Sequence, residues 1–187
     1  LIDFDAYRAP ALQTARLLLE PVNAWHGETL FPGLKDPMLY AFIAKEPPLS
    51  TSEVSRRFEK LESRRSPDGE ELWLNWAARR INGGYVGLVE ATVGRDAIAH
   101  VAYWVFSADQ RQGFGREAVA VMLEHLAAIG CVEAVAFIDT RNAASIRLVE
   151  ALGFERRQTL VMREKLRGRW VDDHEYRKSL ERGLGGA

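Results

Sequence analysis

A single cysteine, Cys131, stands in the 187 residues of this chain. That excludes an internal disulfide and fits a reducing, cytoplasmic setting. His26, His125 and His174 are scattered and make no metal-ligand spacing with Cys131, so no metal site is expected. No apolar run approaches the ~20 residues of a membrane span, and the N-terminus lacks a signal-peptide pattern. Charge of either sign is not in excess: 25 Lys and Arg stand against 26 Asp and Glu, a formal net charge of −1. Bulk electrostatics therefore argues for neither nucleic acid nor membrane as a partner. Repeats and low-complexity tracts are missing as well. What remains is a chain of ordinary composition, long enough for one domain with a full hydrophobic core.

The most informative stretch present is Gln110-Arg111-Gln112-Gly113-Phe114-Gly115. Before it lies Val101-Ala102-Tyr103-Trp104-Val105-Phe106, rich in strand-favouring residues. After it, Val119, Met122, Leu123 and Leu126 fall at helical spacing and Gly130 stops the helix. Glycines between a strand and a helix let backbone N–H groups approach a ligand where the helix dipole favours anions. A strand-to-helix turn also uses glycine simply to turn.

The rest of the chain reads as one further strand near the start, short helical pieces, then a meander. Leu17 to Val22 is a strand, and Pro32 and Pro37 break the stretch from Trp25 to Ile43. Ser50 or Ser52 caps a helix running to about Arg65. Leu72–Arg80, Tyr85–Val93 and Ala99–Phe106 are strands, the first two joined by Asn82-Gly83-Gly84, a hairpin signal. A helix at about 115–129, a strand at Val132–Ile138, a helix at about 143–152 and a final strand pair around Gly168 complete the order. Antiparallel strands first, then strand-helix-strand, predict a mixed α/β (α+β) sheet, mostly antiparallel, with flanking helices and splayed around the strand at 101–106.

Some 27 residues past Gly115, Asn142, Ser145, an apolar stripe and Gly153-Phe154 resemble the second signature of the GNAT superfamily, the acetyl-CoA-dependent N-acetyltransferases. Gln110 to Gly115 match the first, Gln/Arg-x-x-Gly-x-Gly/Ala, at every defined position. Thr14 to Pro21, Asp36-Pro37, Ser50 to Glu53, Gly84 to Glu90, and Gly168 to Asp172 with Tyr176 are similar to the ribosomal-protein N-terminal acetyltransferase (RimJ/RimL-like) branch. The resemblance covers about residues 12–180 and implies a single N-acetyltransferase domain over 1–187 with the GNAT fold. It also implies acetyl-CoA as cosubstrate and an amine acceptor, a protein N-terminus or a small molecule, attacking directly in a ternary complex. A homodimer is compatible with it.

Expected cofactor-binding residues are Trp104, Val105, Gln110, Arg111, Gln112, Gly113, Phe114, Gly115, Arg116, Asn142 and Ser145. Arg111 and Arg116 sit where phosphates need neutralising. By the resemblance, a backbone N–H near Val105 binds the thioester oxygen and Asn142 holds the pantetheine arm. Asn142 is also a natural helix N-cap, and the two roles can coexist. Ser145 either bonds back to a carbonyl one turn earlier or protonates the departing thiolate. Many superfamily members carry a tyrosine four residues on for that task, where this chain has Val149.

Glu90 is a carboxylate in an apolar strand: either an exposed strand face, or the group that positions the acceptor amine and takes its proton through water. His100 and Tyr103 are rival polar groups, on opposite faces by alternation. Two rival functions stand beside the transferase reading. One is a non-catalytic acetyl-CoA-binding module. The other is a dinucleotide-binding oxidoreductase, since Gly113 to Ala118 match Gly-x-Gly-x-x-Ala and Asp139 follows the next strand. Against the oxidoreductase, Ser107 to Gln112 intervene between strand and glycine, and antiparallel strands precede the motif.

Overall fold

Alternation of apolar side chains builds the first half of the sheet. In the computed structural model, which describes residues 2–180, Leu72, Leu74, Trp76 and Ala78 of β3 (Glu71–Arg80) all point to one side and are buried. Leu17 and Leu19 of β2 (Leu17–Pro21) join the same core, as do Val89, Ala91 and Val93 of β4 (Tyr85–Gly94). The intervening residues of β3 and β4 face a second, smaller core on the opposite side. Arg80 and Gly84 close the β3–β4 hairpin, with Arg80 N–H donating to the Gly84 carbonyl at 3.1 Å.

The second half adds β5 (Ile98–Val105), α3 (Phe114–Ile129), β6 (Glu133–Asp139), α4 (Ala143–Ala151), β7 (Glu155–Leu166) and β8 (Arg169–Ser179). With the two-residue β1 (Leu12–Gln13), the strands form one sheet in the order β1-β2-β3-β4-β5-β6-β8-β7. Every pairing is antiparallel except β5 with β6. That parallel pair is short. It joins Ile98–His100 to Glu133–Val135, after which β5 runs on to Val105 and β6 to Asp139 without pairing to each other. The sheet is therefore split like a wedge, opening at the ends of the strands that carry the glycine loop and Asn142. This is the mixed, splayed sheet that the element order predicts, and it excludes the doubly wound parallel sheet of the oxidoreductase reading.

α3 and α4 cover the larger core, while α1 (His26–Leu34) and α2 (Thr51–Leu61) cover the smaller one. Ser50 caps α2, its Oγ accepting from Glu53 N–H at 3.2 Å. Two sequence expectations need correction. Pro32 does not break the early helix but lies inside α1, where buried Leu30 and Leu34 on either side of it anchor the last turn. The α2 helix stops at Leu61 rather than near Arg65, because Arg64 takes a left-handed φ of 59° and its carbonyl then bonds Trp73 N–H at 2.8 Å.

Candidate active site

The loop between β5 and α3 is held in an unusual backbone shape by Arg16, just before β2, and by Arg80 of β3. Arg111 and Gly113 both have left-handed φ, 64° and 82°. Among the described residues, the backbone N–H groups from Gln110 to Arg116 find no protein acceptor. Successive unpaired N–H groups in such a turn, at the start of a 16-residue helix, form an anion-binding concavity. Arg111 and Arg116 are exposed beside it.

Arg16 reaches across to this loop. Its Nη1 donates to the Gln112 carbonyl at 3.0 Å, its Nε to Glu117 Oε2 at 2.6 Å, and its guanidinium lies 4.6 Å from the Phe114 ring centroid. The Arg80 guanidinium sits on the same ring at 5.2 Å and pairs with buried Asp109. Phe114, expected among the cofactor-binding residues, is thus a buried anchor gripped by two arginines. Sequence reading missed Arg16, Arg80 and Glu117. Arg16 and Glu117 lie 101 positions apart, and no local spacing signals such a pair.

Gly115 packs closely, since a Cβ there would lie 2.9 Å from Val105 Cγ2 and 3.1 Å from Leu148 Cδ1. Gly113 has room: a Cβ would meet only Arg16 Nη2, at 3.3 Å. Its requirement is the positive φ rather than the space.

The wedge between β5 and β6 holds a cavity of about 510 Å³. Its lining falls into two halves by strand alternation. Val101, Tyr103, Ala136 and Ile138 project toward α3 and α4, where Asn142 and Ser145 also line the cavity. Glu90, Ala102, Trp104, Phe137, Asp139 and Asp173 project to the other face, under Phe42, Ile43 and Lys45. Trp104, expected with the cofactor residues, therefore has its side chain on the face of Glu90.

Val105 stands at the boundary between the halves. Phe106 N–H donates to the Val86 carbonyl on the β4 side at 2.8 Å, so by alternation the Val105 peptide groups face the open side. Gln110 Nε2 confirms the direction by donating to the Val105 carbonyl at 3.1 Å.

On the helix side, Asn142 caps α4, its Oδ1 accepting from Ser145 N–H at 3.1 Å. The Ser145 hydroxyl is not spent on a carbonyl one turn back but stands beside the Tyr103 hydroxyl, with which it interacts. Tyr103 OH donates to the Ser145 carbonyl at 3.3 Å, and burial pushes its pKa up to about 12. Val149 is fully buried.

On the other side, Glu90 is no exposed strand face. Its side chain keeps 27% of its surface accessible, lines the cavity, and has Arg57 Nη2 at 3.9 Å. Burial outweighs the pull of Arg57 and Lys45 and lifts its carboxyl above the ordinary range. Asp139 is held low instead, chiefly by hydrogen bonds from Arg141, with Nε at 2.8 Å. It fixes the turn into α4 rather than offering itself to a ribose. His100 is exposed and stacks on Phe137 at 5.9 Å. Cys131 is buried, with its thiol pushed up to about 11 by burial, which keeps it a packed, inert side chain. Among the described residues no group of three or more His, Cys, Asp or Glu can hold a metal ion, and no helix is long and apolar enough to cross a membrane.

A loop of unpaired N–H groups, a strand end with its peptide groups turned outward and an Asn-capped helix stand around one wedge, the makings of a site for an anionic ligand with a long arm. Residues 16–155 match the acetyltransferase (GNAT) domain family, and the chain belongs to it. Solved structures agree on the fold. A ribosomal L7/L12 alpha-N-protein acetyltransferase (RimL) in complex with coenzyme A superposes with a TM-score of 0.81 at 18% identity, covering 91% of this chain and 98% of that one. Spermidine N-acetyltransferase from Vibrio cholerae, in complex with CoA and spermine, gives 0.77 at 17% identity, over 89% and 97%. By sequence, mycothiol acetyltransferase of Streptosporangium roseum is 34% identical over 95 residues. That match spans 50% of this chain and only 26% of the relative.

Proposed function

We propose that this protein transfers the acetyl group of acetyl-CoA to a primary amine, by direct attack within a ternary complex. One observation carries the reading: the cavity in the wedge between β5 and β6 brings Asn142 and Ser145 from one face of the sheet together with the Glu90 carboxylate from the other. The residues fit the cosubstrate. Gln110 to Arg116 would hold its pyrophosphate, Asn142 its pantetheine arm, and the outward Val105 N–H its thioester oxygen. Bound there, acetyl-CoA supplies the acyl group and a thiol leaving group.

The chain's own part is proton handling and placement. Glu90 accepts a proton from the acceptor ammonium, directly or through water, and its raised pKa brings it nearer to the amine's. Ser145 Oγ and Tyr103 OH stand on the thiol's side and supply a hydroxyl proton. A thiol pKa near ~8.5 asks little of either.

The RimJ/RimL-like branch, one domain over residues 1–187, a cytoplasmic setting and a homodimer belong to the same reading. The branch is supported by the likeness to RimL and the setting by the lone cysteine. The test is a thiol-release assay over a panel of amines, with acetyl-CoA and nicotinamide dinucleotide binding measured by calorimetry. Amine-dependent thiol release and binding of acetyl-CoA alone are expected. Acetyl-CoA binding with no amine acetylated would turn the reading into a binding module.

A further inference from the structure

A second, smaller cavity of about 110 Å³ adjoins the wedge and shares Ile43 and Lys45 with it. The segment 43–46 forms one wall, and Lys165, Leu166 and Arg167, at the β7–β8 turn, form the other. Three of its side chains are cations, Lys45, Lys165 and Arg167, against one carboxylate, Glu46. Among the described residues none of the three pairs with a carboxylate, Glu46 included.

Arg167 is held there at a conformational cost. Leu166 and Arg169 close the hairpin around a two-residue turn, and Arg167 and Gly168 both have left-handed φ, 46° and 83°. Such a turn favours Asn-Gly, and an arginine at its first position is strained. Its Nη2 donates to the Tyr40 carbonyl at 3.0 Å, which fixes the guanidinium against the opposite wall and leaves its other donors unused among the described residues. Three cations around one small space repel each other, and an anion between them relieves the repulsion.

The wedge has the opposite character. Asp139 and Asp173 are bound by Arg141 and, at 3.2 Å, by Arg163, and Glu164 is exposed, which leaves Glu90 as the enclosed carboxylate for an amine. Arg57, which approaches Glu90 at 3.9 Å, lies 5.9 Å from the Trp104 ring centroid, and Lys45 Nζ lies 5.9 Å from the same centroid. The same indole ring thus borders both the Glu90 end of the wedge and the cation cluster.

Building on the transferase reading, we infer that the acceptor carries an anionic group, a carboxylate or a phosphate, several bonds from its nucleophilic nitrogen. Glu90 receives the amine, and Lys45, Lys165 and Arg167 receive the anion through charge-assisted hydrogen bonds. A polyamine fits badly, since its far nitrogens would meet cations. A small ω-amino acid and an acidic polypeptide N-terminus share the required chemistry.

The experiment pairs each anionic acceptor with a neutral twin. One pair is ε-aminocaproate and ε-aminocaproamide. The other is a peptide amide with two glutamates after an N-terminal serine and its glutamine counterpart, and spermidine completes the panel. The wild type should favour the anionic member of at least one pair by about tenfold or more in kcat/KM, less so at high salt. The pair that shows the preference separates the small-molecule source from the polypeptide one. Lys165→Gln and Arg167→Asn, the latter suited to the left-handed turn, should each reduce that preference about threefold and together about tenfold. CoA affinity by calorimetry confirms that each variant is folded. No preference in either pair, equal losses on both twins in the double variant, or spermidine as the best acceptor would overturn the inference while leaving the transferase reading intact. If the wild type binds CoA and acetylates no member of the panel, the transferase reading fails, and this inference falls with it.

Discussion

Arg16→Ala should loosen the cofactor loop without unfolding the protein. The arginine makes an ion pair with Glu117 at 2.6 Å, a hydrogen bond to the Gln112 carbonyl at 3.0 Å and a stack on Phe114 at 4.6 Å. Its side chain is 48% exposed, so the ion pair counts for no more than about 0.5–1 kcal/mol after solvent screening. The charged bond to the carbonyl adds about 1.5 kcal/mol and the stack about 0.5 kcal/mol. Water returns part of this, leaving a loss of roughly 2 kcal/mol and a fall in Tm of about 4–8 °C for a chain of this size.

The same restraint keeps the Gln110–Gly113 backbone in its left-handed turn. CoA affinity should therefore fall about tenfold, the equivalent of ~1.4 kcal/mol. Pantetheine, which has no pyrophosphate to offer the loop, should lose less than about twofold. Calorimetry with both ligands, beside a thermal melt, reads the difference. An equal loss for CoA and pantetheine, or none for CoA, would refute the clamp. The pH dependence has a definite sign. Burial alone would raise the pKa of Glu117, but hydrogen bonds from Thr14 and Arg16 bring it below the ordinary value. The pair's stabilisation is thus present above the unfolded carboxylate pKa of ~4.3 and disappears as pH falls through the lower folded one.

Gly113→Ala should cost about 1–2 kcal/mol through its left-handed φ and weaken CoA binding. Gly115→Ala should cost about 1–3 kcal/mol by overpacking against Val105 and Leu148, and melts compared with CoA titrations separate the two causes. For Glu90→Gln, kcat/KM should drop by ~10²-fold or more, and the acid limb of its pH profile, set above the usual ~4.3 by burial, should vanish. Since the folded state binds that proton more tightly than the unfolded one, the ionised carboxylate destabilises the fold at neutral pH. Glu90→Gln should then melt no lower than the wild type, which a thermal melt at pH 7 checks. Ser145→Ala and Tyr103→Phe should each leave CoA affinity nearly intact. The variant whose kcat falls, with chemistry shown rate-limiting by single-turnover kinetics, identifies the hydroxyl that protonates the thiol.

Much of this site was legible because its parts are local. A strand, a glycine pair and a helix in sequence fix the N–H loop, and Asn142 three residues before Ser145 fixes its own cap. The Asn-Gly turn and the two-residue alternation predict the hairpins and hence the mixed sheet. The order of strands likewise keeps the dinucleotide reading from fitting. What stayed hidden depends on partners far apart in sequence. The Arg16–Glu117 pair and the two-arginine grip on Phe114 exist only once β2 and β3 lie beside α3, and the early end of α2 follows from a loop carbonyl captured by Trp73.

Trp104 is the instructive case. Parity alone puts it opposite Tyr103, yet parity does not say which face holds α3 and α4 and which holds α1 and α2. The register does: Glu90 pairs with Ala102, so Trp104 shares the face of the carboxylate and Tyr103 shares the face of Ser145. One strand thus offers side chains alternately to the face of Glu90 and to the face of Ser145. Because β5 has lost its β6 neighbour along that stretch, side chains of both faces line a single cavity. A slip of one residue in the β4–β5 register would exchange the faces that β5 presents, setting Tyr103 beside Glu90 and turning Trp104 toward α3 and α4.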